Sequence, residues 1–271
     1  MANEKKLYTT GELAKMFSIK KDTLFYYDKI GLFSPKYRKG NTNYRYYESG
    51  QIKILDTIIS LRDMDISIME LKSYLKDINT DSFLNLMELE NKKLEDRIKD
   101  FTVKKKTIAE LSRRMKKARD SEYGRIFLSE EEPHYYFSRP IEKKGKNIEE
   151  AWDKAYEEFW SYIDSDRIIT NGAILPRENF IARRYMEISH ITGYTVEKST
   201  NATKKGLYAS YYIKGPYSIL SEKYRDFHDT LTAEGYIPIS DIYEEYIITS
   251  LSERNEENYV TLLRVMVEKK Q

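Results

Sequence analysis

Two stretches of this chain concentrate side chains able to do chemistry, and in both the chemistry is recognition of charge. Near the C-terminal end, Asp241-Ile242-Tyr243-Glu244-Glu245-Tyr246 sets adjacent carboxylates among aromatic rings. Ring faces attract positive charge and a carboxylate neutralises it, so these are the components of a pocket for a lipophilic cation. Near the N-terminal end, ten Lys and Arg residues (positions 5, 6, 15, 20, 21, 29, 36, 38, 39 and 45) stand against four acids (4, 12, 22 and 28), with tyrosines among them. An excess of bases interleaved with aromatics suits the phosphate backbone of DNA. Bond-making chemistry is poorly supplied. His134, His190 and His228 lack HxH or HxxxH spacing, so no metal site is expected. There is no cysteine, hence no disulfide, thiolate–metal site or redox switch. No GxSxG and no Gly-rich phosphate loop is present. The sequence therefore predicts no catalytic residue, no cofactor and no enzyme.

A strand is the element that would position the acidic segment. Side chains alternate along a strand, so Ile242, Glu244 and Tyr246 share one face and Tyr243 and Glu245 the other. An inward carboxylate costs several kcal/mol unless paired, so one glutamate is expected outward and solvated. The surrounding residues 121–271 hold 16 Tyr, 5 Phe and both Trp. They also carry a weak internal repeat. HYYFSRPI, a helix around EEAWDKAYEEFWSYI and strand-like TNGAIL are echoed by LYASYYIKGPY, a helix around LSEKYRDFHDTL, and strand-like DIYEEYIITSL and YVTLLRVMVEK. Each half reads strand, helix, strand, strand. Two halves predict one antiparallel sheet with two helices on a face and a cleft where they meet, an α+β domain.

The basic segment reads as two short helices and an arm. Thr9 followed by Glu12 is a capping-box pattern, opening a helix with Leu13, Met16 and Phe17 inward. A second helix from Asp22 to Ile30 ends at Gly31, with Leu24 and Ile30 inward. That leaves Lys20, Lys21, Thr23 and Tyr27 for a groove or for phosphates. Beyond Ser34-Pro35, the run RKGNTNYR, with Arg38 and Lys39, places positive charge around turn residues as a wing would. Residues 81–120 then lack Pro and Gly, and Met87, Leu94, Phe101, Ile108 and Met115 recur every seven positions. Ile98 and Leu111 add a partial second seam, interrupted by polar Asn91 and Lys105. This pattern predicts a coiled-coil dimerisation helix. A two-fold dimer would read two half-sites of a pseudo-palindrome.

At 271 residues the chain can bury two cores and a connector. Its net charge of +2 conceals an asymmetry. Residues 1–80 and 81–120 each have four more bases than acids, and residues 121–271 six more acids than bases. A polyanion partner is therefore expected for the front only. No apolar run is long enough for a membrane span, and MANEKKLYTT lacks the apolar core of a signal peptide. A cytoplasmic, nucleoid-associated location is expected.

TTGELAK, TLFYYDKIGLFSP, NYRYY and ILDTIISLRDMDISIMELK, in that order across residues 7–76, resemble the DNA-binding domain of the MerR family of transcriptional regulators. The resemblance implies that the second helix enters the major groove, the wing touches flanking phosphates, and Tyr26, Tyr27, Arg45, Tyr46 and Arg62 contact DNA. Phe25 stands where the family usually has arginine, and Lys20 where it usually has a capping serine. SDIYEEYIITSL and ENYVTLLRVMV are similar to the end of the GyrI-like effector domain of the multidrug-sensing, BmrR-like subgroup. This implies that Glu244 meets a cationic drug at the floor of an aromatic pocket and that Tyr259 stands beside it. Tyr208, Tyr211, Tyr243, Tyr246, Trp152 and Tyr156 are further candidates for the lining.

The expected architecture is thus multi-domain. It has an all-α winged helix-turn-helix head (1–80), a dimerisation helix (81–120), which the resemblance implies pairs as an antiparallel coiled coil, and a GyrI-like α+β small-molecule-binding domain (121–271). The expected function is ligand-responsive transcription regulation, as an activator. A homodimer would bind promoter DNA, distort it when a lipophilic cation is bound, and engage RNA polymerase. The alternative is a GyrI-like domain that hydrolyses small electrophilic compounds.

Overall fold

The computed structural model describes residues 6–40, 44–142, 148–163 and 167–270. The chain forms two compact units, residues 1–97 and 98–271, divided within one long helix.

In the first unit, β1 (Leu7–Thr9) leads into α1 (Thr10–Met16). The capping box forms. The Glu12 N–H donates to Thr9 Oγ1 at 3.2 Å, and the Thr9 N–H donates to Glu12 Oε2 at 2.8 Å. Leu13 is fully buried, but Met16 is 50% exposed, contrary to expectation. Phe17, one turn on from Leu13, takes the inward place and rotates Met16 out. The second helix, α2 (Lys21–Lys29), begins after Lys20 without a side-chain cap. Relative to serine this forfeits about 1 kcal/mol. Gly31, at φ +70°, lets the chain turn sharply after it. The wing is the hairpin of β2 (Tyr37–Lys39) and β3 (Tyr44–Glu48), with Lys39 opposite Tyr44 and β1 on the other side of β3. Its tip, residues 41–43, lies outside the described residues. Two further helices follow, α3 (Gln51–Asp63) and α4 (Ile68–Tyr74), the latter opened by a Ser67–Glu70 capping box. Leu13, Leu24, Tyr47, Leu55, Ile58, Ile66 and Leu71 form the core, joined by Leu86 from the start of α5 (Thr80–Asp120).

The second unit takes the end of α5 and an antiparallel sheet. Its elements are β4 (Ile126–Glu131), β5 (Tyr135–Pro140), α6 (Ile148–Tyr162), β6 (Ile168–Leu175), α7 (Arg177–Ile181), β7 (His190–Thr195), β8 (Asn201–Ala202), β9 (Gly206–Lys214), α8 (Leu220–Ala233), β10 (Tyr236–Pro238), β11 (Ile242–Ile248) and β12 (Val260–Lys269). The strand order is β4-β9-β12-β11-β6-β7-β5-β8, with β10 paired to β12. The internal repeat is visible in that order. One half contributes β5-β7-β6 and the other β9-β12-β11, and the halves meet where β6 pairs with β11. Helices α6 and α8 lie on one face. Phe159 of α6 packs over Gly193 of β7, where a Cβ would come within 2.6 Å of the ring. Gly193 stands opposite Asn171, and Asn171 opposite Tyr246, so these share a face with Glu244. On that face α8 brings Tyr224 onto the Glu244 carboxylate.

Candidate functional site

A cavity of about 940 Å³ opens between the two helices and the central strands. Aromatic pairs build its walls. Tyr156 and Trp160 of α6 meet edge to face at 6.0 Å. Tyr217, just before α8, meets Tyr246 of β11 at 5.1 Å. Tyr185, after α7, stacks on Tyr224 at 5.8 Å and 13°. Trp152, Leu220, Ile191 and Met186 add apolar surface, as do Leu111 and Met115 from the end of α5.

Glu244 is the only acid lining this cavity among the described residues, and it is 1% exposed. The Tyr224 hydroxyl donates to its Oε2 at 2.7 Å, while Oε1 is buried without a hydrogen-bond partner among the described residues. Burial pushes its carboxyl above the ordinary range, against the pull of the Tyr224 and Tyr246 hydroxyls. Burial also raises the Tyr217 phenol to about 12, so that ring stays neutral. An acid held without a counter-ion among ring faces is poised for a cation supplied from outside. Gly172 makes the floor possible. A Cβ there would stand 1.9 Å from the Glu244 backbone oxygen.

Glu245, one residue on, faces the opposite side of the sheet and is fully buried. The expectation that one of the two glutamates is solvated is therefore corrected: both are inside. Glu245 is stabilised by partners distant in sequence. Its Oε2 accepts from Arg264 Nη2 at 3.0 Å, its Oε1 from Thr170 Oγ1 at 2.6 Å, and Arg114 of α5 completes the set. Arg264 Nη1 also donates to Glu131 Oε2 at 3.1 Å. Burial alone would raise both carboxyls. For Glu245 the two guanidinium charges outweigh it and lower the pKa. For Glu131 the His134 ring and Arg264 hold it at about 2.

The remaining candidate lining residues divide. Trp152, Tyr156 and Tyr246 do line the cavity. Tyr259 stands behind it, 5.5 Å from the Tyr217 ring. Three assignments are corrected. Tyr211 is core, stacked on Phe227 at 5.1 Å. Tyr208 is buried away from the cavity and donates to the Lys204 carbonyl at 2.9 Å. Tyr243 points to the other face with Glu245, packing on Tyr136 at 5.9 Å. Sequence reasoning missed Trp160, Tyr185, Tyr217 and Tyr224. Trp160 was reachable, because it lies on the helical face of Tyr156, four residues away.

In the head, Lys20, Lys21, Tyr26 and Lys39 are exposed, Lys39 lying over the Tyr46 ring at 5.6 Å. Thr23 is half-buried. Tyr27 is corrected to the core, at 7% exposure: it lies one turn from Leu24, on the packed face of α2. Arg38 and Arg45 converge on Asp28 at the end of α2, with Arg38 Nη2 at 2.8 Å from both oxygens and Arg45 Nε at 2.6 Å. Arg45 also stacks over Phe25 at 4.8 Å. A guanidinium is thus held over the exposed face of Phe25. Arg62 Nη1 donates to the Ile66 carbonyl at 2.5 Å and so closes the turn between α3 and α4. Along α5, Leu94, Phe101 and Ile108 are 48%, 66% and 65% exposed. Met87 instead packs against the head core and Met115 against the second unit's core.

Residues 8–78 match the family described as MerR HTH family regulatory protein. Over nearly its whole length the chain is similar to two proteins of Bacillus subtilis (strain 168). One is the Multidrug-efflux transporter 2 regulator, 25% identical with 98% of each chain covered. The other is the Multidrug-efflux transporter 1 regulator, 25% identical over 96% of this chain and 98% of that one. The solved structure described as "Cryo-EM structure of EcmrR-DNA complex in EcmrR-RPo" is 20% identical, at a TM-score of 0.39, over 97% of this chain and 100% of that chain. Residues 8–78 are therefore a MerR-family helix-turn-helix domain, carried on a chain similar from end to end to regulators of multidrug-efflux transporters.

Proposed function

We propose that this chain is a ligand-responsive regulator of transcription whose second unit binds a lipophilic cation. The observation that carries the reading is the buried Glu244 carboxylate, with one oxygen unpartnered among the described residues, on the floor of an aromatic cavity of about 940 Å³. A cavity of this size suits a drug-sized ligand. The likeness to two regulators of multidrug-efflux transporters supports the same reading. The head binds promoter DNA through α2 and the wing, with Lys20, Lys21, Tyr26, Lys39 and the Arg38–Asp28–Arg45 cluster as its basic surface. A second copy packs along the exposed Leu94, Phe101 and Ile108 stripe of α5, so that two heads read a pseudo-palindrome.

Ligand-dependent activation requires that the cation bind one arrangement of the dimer more tightly than the other. The dimer then distorts the promoter for RNA polymerase, at a deformation cost of about 1–6 kcal/mol supplied by phosphate contacts. Among the described residues, no helix is long and apolar enough to cross a membrane.

The test is a titration of the full-length protein with a lipophilic aromatic cation, read by quenching of Trp152 and Trp160, which both line the cavity. It is paired with transcription from the chain's own promoter in a purified system. Saturable one-to-one binding, with transcription that follows occupancy, is expected. Steady conversion of the compound to a product that is lost in Glu244→Gln would instead identify a hydrolase.

A further inference from the structure

Two residues of the cavity wall each hold a buried oxygen with no hydrogen-bond partner among the described residues: Glu244 Oε1 and Asn171 Oδ1. Buried polar atoms in folded proteins are nearly always hydrogen-bonded, so an orphan at a ligand site marks the bond the ligand is to make. Here the orphans share a chemistry. The carboxylate and the amide oxygen can only accept.

Their placement is fixed by the sheet. Asn171 pairs with Tyr246, and Ala173 with Glu244, across β6 and β11. Asn171 and Glu244 are therefore diagonal neighbours on the cavity face, close enough for one planar group to touch both. On that face the residue opposite Glu244 is Ala173, whose small side chain leaves the space beside Asn171 open. Tyr185 is stacked on the ring of Tyr224, which itself donates to the other oxygen of Glu244. Tyr224 thereby fixes the carboxylate and leaves Oε1 as its free acceptor.

Charge alone does not satisfy such a site. A quaternary ammonium or phosphonium ion would neutralise Glu244 and stack on the rings, yet would leave the acceptors unbonded. An unmet buried acceptor carries its full desolvation penalty. A flat cation bearing several N–H groups meets every requirement at once. Its charge faces Glu244, its N–H fork reaches Glu244 Oε1 and Asn171 Oδ1, and its aromatic body lies among the rings. The geometry points to a protonated aromatic amidine or guanidine as the preferred ligand class of this cavity, with Asn171 as the residue that selects N–H donors over alkylated cations. This rests on the reading of the cavity as the cation site.

The experiment uses the full-length protein and a matched pair of probes, biphenyl carboxamidinium and its fully N-methylated form. The two carry the same charge and the same rings, and only the first has N–H donors. Calorimetric titration of the wild type should show the amidinium binding about tenfold or more tightly, the worth of one or two charge-assisted hydrogen bonds. In Asn171→Ala the preference should shrink by about tenfold while the methylated ion keeps its affinity. Equal affinity of the two probes for the wild type would overturn the N–H selection and leave the cation site standing. A preference unchanged in Asn171→Ala would mean that ligand size, not hydrogen bonding, decides, and would overturn the role of Asn171. Binding of neither probe would overturn both the selection and the cation site. The comparison within the wild type requires no variant to fold.

Discussion

Replacing Glu244 by Gln removes the cavity's negative charge while keeping the shape of the side chain and a carbonyl oxygen for the Tyr224 hydroxyl. With a cation bound, the wild-type carboxylate is one half of a desolvated charge pair, and deleting one partner of such a pair costs about 2–5 kcal/mol. That corresponds to a loss of affinity of about thirtyfold to several-thousandfold. The pH dependence has a definite sign. Burial raises the Glu244 pKa in the empty protein, and the cation binds the ionised form, so wild-type affinity rises as pH rises through that raised value. The amide that replaces the carboxylate in the Glu244→Gln variant does not titrate, so the variant's affinity stays flat there. Stability runs the other way. The empty native state holds this proton more tightly than the unfolded chain does, so it loses stability as pH rises from the ordinary carboxylate value through the raised one. Glu244→Gln is therefore expected to melt higher than the wild type at neutral pH without ligand, and lower than the wild type with saturating cation. Quenching titrations across pH and thermal melts of both proteins measure all of this. Equal cation affinity in the two proteins at neutral pH would refute the argument, since no charge pair would then be formed.

Four further outcomes follow from the same geometry. Arg264→Met strips Glu245 and Glu131 of a shared guanidinium, and should destabilise the second unit by about 3–5 kcal/mol in denaturant unfolding, because it leaves buried charge uncompensated. Glu131, held at about 2, contributes stability that is fully present above its ordinary pKa and is lost as pH falls from there to about 2. The acid limb of the unfolding curve should therefore flatten in Glu131→Gln. In the head and its helix, Arg45→Ala should abolish operator binding in gel shifts without lowering the melting temperature by much. Phe101→Pro, at about 3 kcal/mol for an interior proline, should yield monomers in sedimentation, and a surviving dimer would remove the seam from α5.

Much of the local structure was legible because it rests on short-range rules. The Thr9–Glu12 capping box, the end of α2 at Gly31 and the wing after Pro35 each follow from residues within a few positions of one another. The repeated strand–helix–strand–strand pattern was legible for the same reason, and it became the two halves that meet at β6 and β11. The candidate lining was only half legible. Alternation along β11 separates Glu244 and Tyr246 from Tyr243 and Glu245, but it does not say which face a helix roofs over. Tyr208, Tyr211 and Tyr243 have the same composition as true wall residues and differ only in what packs against them. Tyr185 and Tyr217 sit beside short helical turns whose sequence carries no periodic signal, so nothing local marked them.

The sequence by itself determined that this chain has a basic helix-turn-helix head and an aromatic, acidic domain with a glutamate pair on one strand. Those properties are written in residue type and spacing. Only the tertiary structure decided what each glutamate does. Glu245 is buried because Arg114, 131 positions away, and Arg264 reach it across the sheet. Glu244 is buried because α8 closes over it and supplies a single hydroxyl. The cost of burying a carboxylate is the same for both. Whether it is offset within the fold or left for a ligand to offset depends on long-range contacts that no local pattern encodes.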